Sequence, residues 1–138
     1  MKTLAKLTLS SFLLSAAVCA QAANIKLEIS NIQVTEGMVM VAVYDTEANY
    51  NGGEPVAVSQ IPVSSKKLSI DFPELAEGDY AIKLFHDENN NGKLDTNLVG
   101  MPVEGYGFSN NAGRFGPASY TDARFAVNGS TELTIVLR

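Results

Sequence analysis

Ile25, Leu27 and Ile29 alternate with Lys26, Glu28 and Ser30. Successive side chains leave a strand on opposite faces, so strict alternation predicts a half-buried strand. The same pattern recurs at Leu68, Ile70 and Phe72, and at Tyr80, Ile82 and Leu84. Met38 to Tyr44 (MVMVAVY) is an almost continuous apolar run of strand length. Val56 to Val63 reads as a strand that Pro62 assigns to an edge, because proline has no N–H for an inner ladder. Tyr120 to Val127 and Leu133 to Leu137 close the chain as two strands around the turn Asn128-Gly129. Asp45 to Pro55 and His86 to Ala118 are loops rich in Asn and Gly.

This pattern predicts about seven short strands and no helix, which is the signature of an all-β sandwich or barrel. Leu75-Ala-Glu-Gly78-Asp-Tyr80 tips the choice towards an immunoglobulin-like or transthyretin-like antiparallel sandwich. In such folds a Tyr at a strand entry bonds back to the corner backbone. The long 86–118 stretch is unusual inside a compact domain, where loops of that length tend to be functional.

The first residues follow another rule. Lys2 and Lys6 precede an uncharged run, Leu7 to Ala20, and Ala20-Gln21-Ala22 has small residues where a signal peptidase reads. This predicts a secretory leader over 1–22 and one β-sandwich domain over 23–138. The apolar run is about 14 residues, short of the roughly 20 that span a bilayer. Cys19 lacks a lipobox, since Ala16 and Val18 hold the deciding positions. Losing 1–22 removes Lys2, Lys6 and the one cysteine but no acid, so net charge moves from −5 to −7. Such a chain is expected in the periplasm or outside the cell, with no disulfide to stabilise it. An acidic domain without a Lys/Arg cluster is a poor partner for nucleic acid, whose phosphates dominate affinity. No membrane segment is expected after leader cleavage.

Candidate chemistry centres on Asp87-Glu-Asn89-Asn-Asn91-Gly92-Lys93-Leu94-Asp95. Oxygen side chains stand at positions 1, 3, 5 and 9 of this loop, with Gly at 6, as in the first part of an EF-hand. Alternate residues of a curled loop point inward. Asp87, Asn89 and Asn91 therefore converge, the Lys93 carbonyl follows the Gly92 reversal, and Asp95 closes the ring. Leu94 is expected to point away and pack under the loop. Position 12, a bidentate Glu in an EF-hand, is here Leu98, and the flanking Tyr80–His86 is strand-like. The reading is an EF-hand-like loop on a β scaffold, with Asn97, Glu104, Asp45 or Asp122 to complete it. The expected ion is Ca²⁺, at a Kd on the order of 10⁻⁴ to 10⁻³ M, as in extracellular modules. Mg²⁺ prefers an octahedral, water-rich shell, and Zn²⁺ finds one His and no Cys after residue 22.

An enzyme is not expected. No Ser sits in a Gly-x-Ser-x-Gly elbow, and Gly105-Tyr-Gly-Phe is no phosphate loop. A hydrolase would have to use His86, the single histidine, with Asp87 or a metal-bound water. Tyr106, Phe108 and Phe115 lie in the long loop, where aromatics either stack on a sugar or other flat ligand or fold back as a lid. Three functions are therefore carried forward. The leading one is a calcium-clamped, non-catalytic module that meets a protein partner at the cell envelope. The others are a small-molecule or glycan binder and, last, the hydrolase.

Leu75-x-x-Gly78-x-Tyr80-Ala81, His86-Asp87-x-Asn89-x-Asn91-Gly92-x-x-Asp95-Thr96-Asn97 and Gly100-x-Pro102-x-Glu104-Gly105-Tyr106-Gly107-Phe108-Ser109-Asn110 together resemble the bacterial domain-of-unknown-function family 2141. The resemblance spans nearly all of 23–138. It implies small exported β-sandwich proteins of a Gram-negative-type periplasm or cell surface. It also implies that the ion loop and the Gly-Tyr-Gly-Phe-Ser-Asn segment form one unit. It supplies no substrate and no catalytic residue.

Overall fold

The computed structural model describes residues 21–138. Apart from Gln21 and Ala22, the expected leader lies outside the described residues, and so does Cys19. Five strands come first: β1 (Ala23–Ser30), β2 (Met38–Tyr44), β3 (Ala57–Pro62), β4 (Leu68–Leu75) and β5 (Gly78–Asp87). Three more follow the long loop: β6 (Tyr106–Phe108), β7 (Phe125–Val127) and β8 (Ser130–Val136). Two single-turn α-helices, α1 (Glu47–Tyr50) and α2 (Tyr120–Ala123), and a 3-10 turn over Ser109–Asn111 interrupt them.

The strands form a sandwich. One sheet runs β4-β1-β8, and the other runs β3-β2-β5-β6 with β7 also on β5. The alternating residues pack between them. Ile25, Leu27 and Ile29 of β1 meet Val39, Val41 and Val43 of β2 and Ile82 and Leu84 of β5 in one core. β3 is an edge strand, as Pro62 requires. The Tyr80 hydroxyl donates to the Ala76 carbonyl at 2.7 Å, forming the tyrosine corner.

Four expectations change. Among the described residues the count is eight strands, because β6 lies hidden in the irregular stretch; three residues are too few to show a period. The sandwich is antiparallel except where β8 returns parallel to β1. The strand expected over Tyr120–Val127 splits, because the Ser119 Oγ accepts the Asp122 N–H at 3.2 Å and caps α2. Thr46 caps α1 in the same way through the Asn49 N–H. Single turns carry no helical periodicity, so neither helix shows in the hydrophobic pattern.

The two outer faces differ in kind. On the three-stranded sheet Lys26, Glu28, Ser69 and Glu132 face out, and Lys26 pairs with Glu132 at 3.7 Å. On the other sheet the strand register sets two rows across the outer face. Gln60, Met40, Phe85 and Tyr106 form one row. Val58, Ala42, Lys83 and Phe108 form the next. This second apolar face is why β2 reads as a continuous apolar run, with valines turned inward and Met40, Ala42 and Tyr44 outward.

Candidate metal centre

β5 ends at Asp87 and the chain curls at once. The Asp87 side chain is buried, and its oxygens take the N–H groups of Asn91 (Oδ1, 3.0 Å) and Gly92 (Oδ2, 2.8 Å). Asn89 Oδ1 accepts the Asn91 N–H at 3.2 Å, and Asn91 Oδ1 accepts the Lys93 N–H at 3.0 Å. Both amides donate to Asp95, Asn89 at 2.6 Å and Asn91 at 2.7 and 2.9 Å. Gly92 (φ +80°) makes the reversal, and Asn90 (φ +58°) tolerates the same left-handed region. Asp87, Asn89, Asn91 and Asp95 are thus knit into one hydrogen-bonded set. The hydrogen bond from Asn91, then that from Asn89, holds the Asp95 carboxyl below its ordinary value, and the Lys93 charge adds to this.

Among the four candidates to complete the ring, the structure brings Glu104 to the loop. Glu104 is 7% exposed; its Oε1 accepts the Glu88 N–H at 3.0 Å and its Oε2 the Asp95 N–H at 2.9 Å. One buried carboxylate thereby ties both ends of the loop. Asn97 Oδ1 instead accepts the N–H groups of Val99 and Met101, each at 3.0 Å, and shapes the next turn. Asp45 and Asp122 are not at the loop. β2 pairs Met38 with Asp87 and Tyr44 with Ala81, so Asp45 lies at the opposite end of the sheet. Asp122 sits there too, in α2, with its carboxylate on the Ser119 hydroxyl.

The donor set suits a hard cation. Two carboxylates, two amide oxygens and a backbone carbonyl match the ligands calcium takes, and each amide oxygen keeps a second lone pair. Among the described residues no three His, Cys, Asp or Glu gather around one point, so an ion here would draw much of its shell from amides and backbone.

The same family model covers both sheets and the loop. Described as "Uncharacterized protein conserved in bacteria (DUF2141)", it matches residues 27–135. The chain belongs to this family. No curated protein and no solved structure matches it. The DUF2141 match starts inside β1 and ends inside β8, so the Asp87–Asp95 loop and the apolar sheet face fall in one unit. No helix among the described residues is long and apolar enough to cross a membrane.

In this DUF2141 chain the three loop aromatics part company. Tyr106 and Phe108 stand on β6 as an edge-to-face pair, centroids 6.0 Å apart at 75°. Phe115 is 96% exposed, carried outward between Gly113 and Gly116, with the Arg114 guanidinium 5.8 Å from its ring. It does not join the other two. Leu94 is half-buried and lines the same sheet-face hollow as Tyr106 and Phe108. His86 faces the core and is 1% exposed, with its Nε2 2.6 Å from the Glu36 carbonyl, a contact that makes this nitrogen the donor. Asp87 leaves β5 on the opposite face, so the two do not form a dyad.

Three residues escape sequence reasoning. Ser109 is fully buried where β6 and β7 leave a gap along β5: its hydroxyl accepts the Ile82 N–H at 2.9 Å and donates to the Ala123 carbonyl. Glu104 is named in the sequence but cannot be singled out there. Lys83 reads as the polar half of an alternating strand, yet its ammonium lies 3.9 Å from the centre of the Tyr50 ring.

Proposed function

We propose that this protein is an exported, non-catalytic calcium-binding module, in which the ion clamps a long loop that meets a partner at the cell envelope. The observation that carries it is the mutual engagement of Asp87, Asn89, Asn91 and Asp95. Their oxygens, with the Lys93 carbonyl, would hold the ion, and Glu104 would keep the loop ends together from beneath. Export rests on the leader-like 1–22. It is supported by the start of β1 at Ala23, the first residue expected after cleavage.

The surface to be clamped is the finger that follows. Leu98, Val99, Met101 and Val103 are all exposed, in a turn held by Asn97 and by the Val103 N–H on the Asp95 carbonyl at 2.9 Å. Apolar side chains gathered at one exposed tip mark an interaction surface. An ion at Asp95 would stiffen the base of that finger.

Calcium titration of the purified protein, read by calorimetry and thermal melting, tests the proposal. Saturation should occur with a Kd on the order of 10⁻⁴ to 10⁻³ M. Calcium tenfold above Kd should add about 1.4 kcal/mol of stability. Asp95→Ala should stay folded and lose the response. Folded wild type with neither heat nor melting shift sinks the ion role. A second reading, small-ligand binding, is favoured by the Tyr106–Phe108 pair and the groove beneath it.

A further inference from the structure

The outer face of the five-stranded sheet is hollow as well as apolar. Ala42 is the small residue of its row, flanked by Val58 and Lys83, and it leaves a floor. Tyr44 rises at one end of the hollow and Leu94 of the ion loop at the other. The groove encloses about 380 Å³, within the roughly 300–1,000 Å³ typical of small-molecule sites. The opposite face of the sandwich, lined by Lys26, Glu28 and Glu132, has no such character.

One cation stands in this groove. The Lys83 ammonium donates to the Tyr50 carbonyl at 2.5 Å and lies near the Tyr50 and Tyr44 rings, at 3.9 and 5.3 Å. Among the described residues no carboxylate comes within ion-pair distance of it, in a chain with five more acids than bases. Burial pulls its pKa below the ordinary lysine value, with no opposing charge to restore it. An ammonium has three donors, and the Tyr50 carbonyl takes one.

We infer that this groove binds a small amphipathic carboxylate, its apolar tail across Met40, Phe85 and Tyr106 and its carboxylate on the Lys83 ammonium. The match is one of charge and shape. An unpaired, partly desolvated cation gains from an anion, and the apolar rows gain from covering. The polar side chains lining the groove are Ser59, Gln60, Lys83, Tyr44 and Tyr106, and Lys83 alone among them carries a charge. The site makes the small-ligand reading specific. It owes nothing to an ion in the loop, so a failed calcium titration leaves it standing.

Octanoate and octanol, titrated into the purified protein in calcium-free buffer, test it. Octanoate should bind at least tenfold more tightly than octanol. Lys83→Met should lose that preference at least tenfold while octanol binding stays unchanged. Ala42→Phe should fill the floor and abolish binding of both, with circular dichroism showing the fold retained. Equal binding of the two probes, or octanoate binding unchanged in Lys83→Met, overturns the site. So does a dimer that Ala42→Phe dissociates, with no octanoate binding, since the face then serves a second copy of the chain.

Discussion

Glu104 does at residue scale what no pattern in the chain announces. Its carboxylate takes two backbone N–H groups, those of Glu88 and Asp95, 16 and 9 residues upstream, and closes the base of the Asp87–Asp95 loop. A buried N–H stripped of its acceptor costs about 1–3 kcal/mol, and bonds to a charged group lie at the upper end. Glu104→Ala should therefore cost about 2–4 kcal/mol in urea unfolding, with or without calcium. A loss below about 0.5 kcal/mol would show that the loop closes without it. The hydrogen-bonded curl of Asp87, Asn89, Asn91 and Asp95 was legible because its spacing is set by residues within one turn of the chain. The carboxylate from below was not legible. Glu104 is one acid among fifteen, and only the fold puts it under that loop.

At the scale of elements, β6 is the piece that sequence reasoning missed. Three residues pair with Lys83, Leu84 and Phe85, and the middle one is Gly107. A Cβ there would come within 2.6 Å of Ile135 Cγ2 in the core. Glycine lets β6 approach β8 closely enough to turn Tyr106 and Phe108 outward. Gly107→Ala should overpack that contact at a cost of about 1–3 kcal/mol, read as a lower melting temperature. Gly105→Ala is the control. Its Cβ would sit 3.4 Å from Leu137 Cδ1, and the change should stay within about 1 kcal/mol. Equal losses at both positions would remove the packing argument. The longer strands were legible because alternation over five or more residues has few other causes. The helices were not, though Thr46 and Ser119 are the residue types that cap them.

At the scale of the molecule, one end of the sandwich is closed by aromatics rather than strands. Tyr50 of α1 lies 5.6 Å from Tyr44 and 5.7 Å from Tyr120, edge-to-face in both cases, and its hydroxyl donates to the Ala118 carbonyl at 3.0 Å. Burial, with the charges of Tyr44 and Asp122 adding to it, pushes its pKa from 10.0 up to about 12. The folded state holds this proton more tightly than the unfolded one. Its contribution is therefore fully present below pH 10 and lost as pH rises towards 12. Tyr50→Phe should be about 1 kcal/mol less stable than wild type near neutral pH, for the lost hydrogen bond. Chemical unfolding at stepped pH should show that gap closing between pH 10 and 12. A gap that stays constant across this window would mean that Tyr50 ionises as freely as in the open chain.

The division between chain and fold follows from the reach of each interaction. Alternation, the tyrosine corner, the edge proline and the Asp87–Asp95 spacing depend on neighbours a few residues apart, so the sequence by itself determined an all-β sandwich and a candidate ion loop. The apolar groove, the unpaired Lys83, the Glu104 strut and the separation of Phe115 from Tyr106 and Phe108 depend on strand register and on which strands are neighbours. Register is set by packing two sheets face to face across the whole chain. The run Met38 to Tyr44 shows the boundary most clearly. Its composition declared both faces apolar, and only the tertiary structure showed that one face fills the core while the other lies open as a groove.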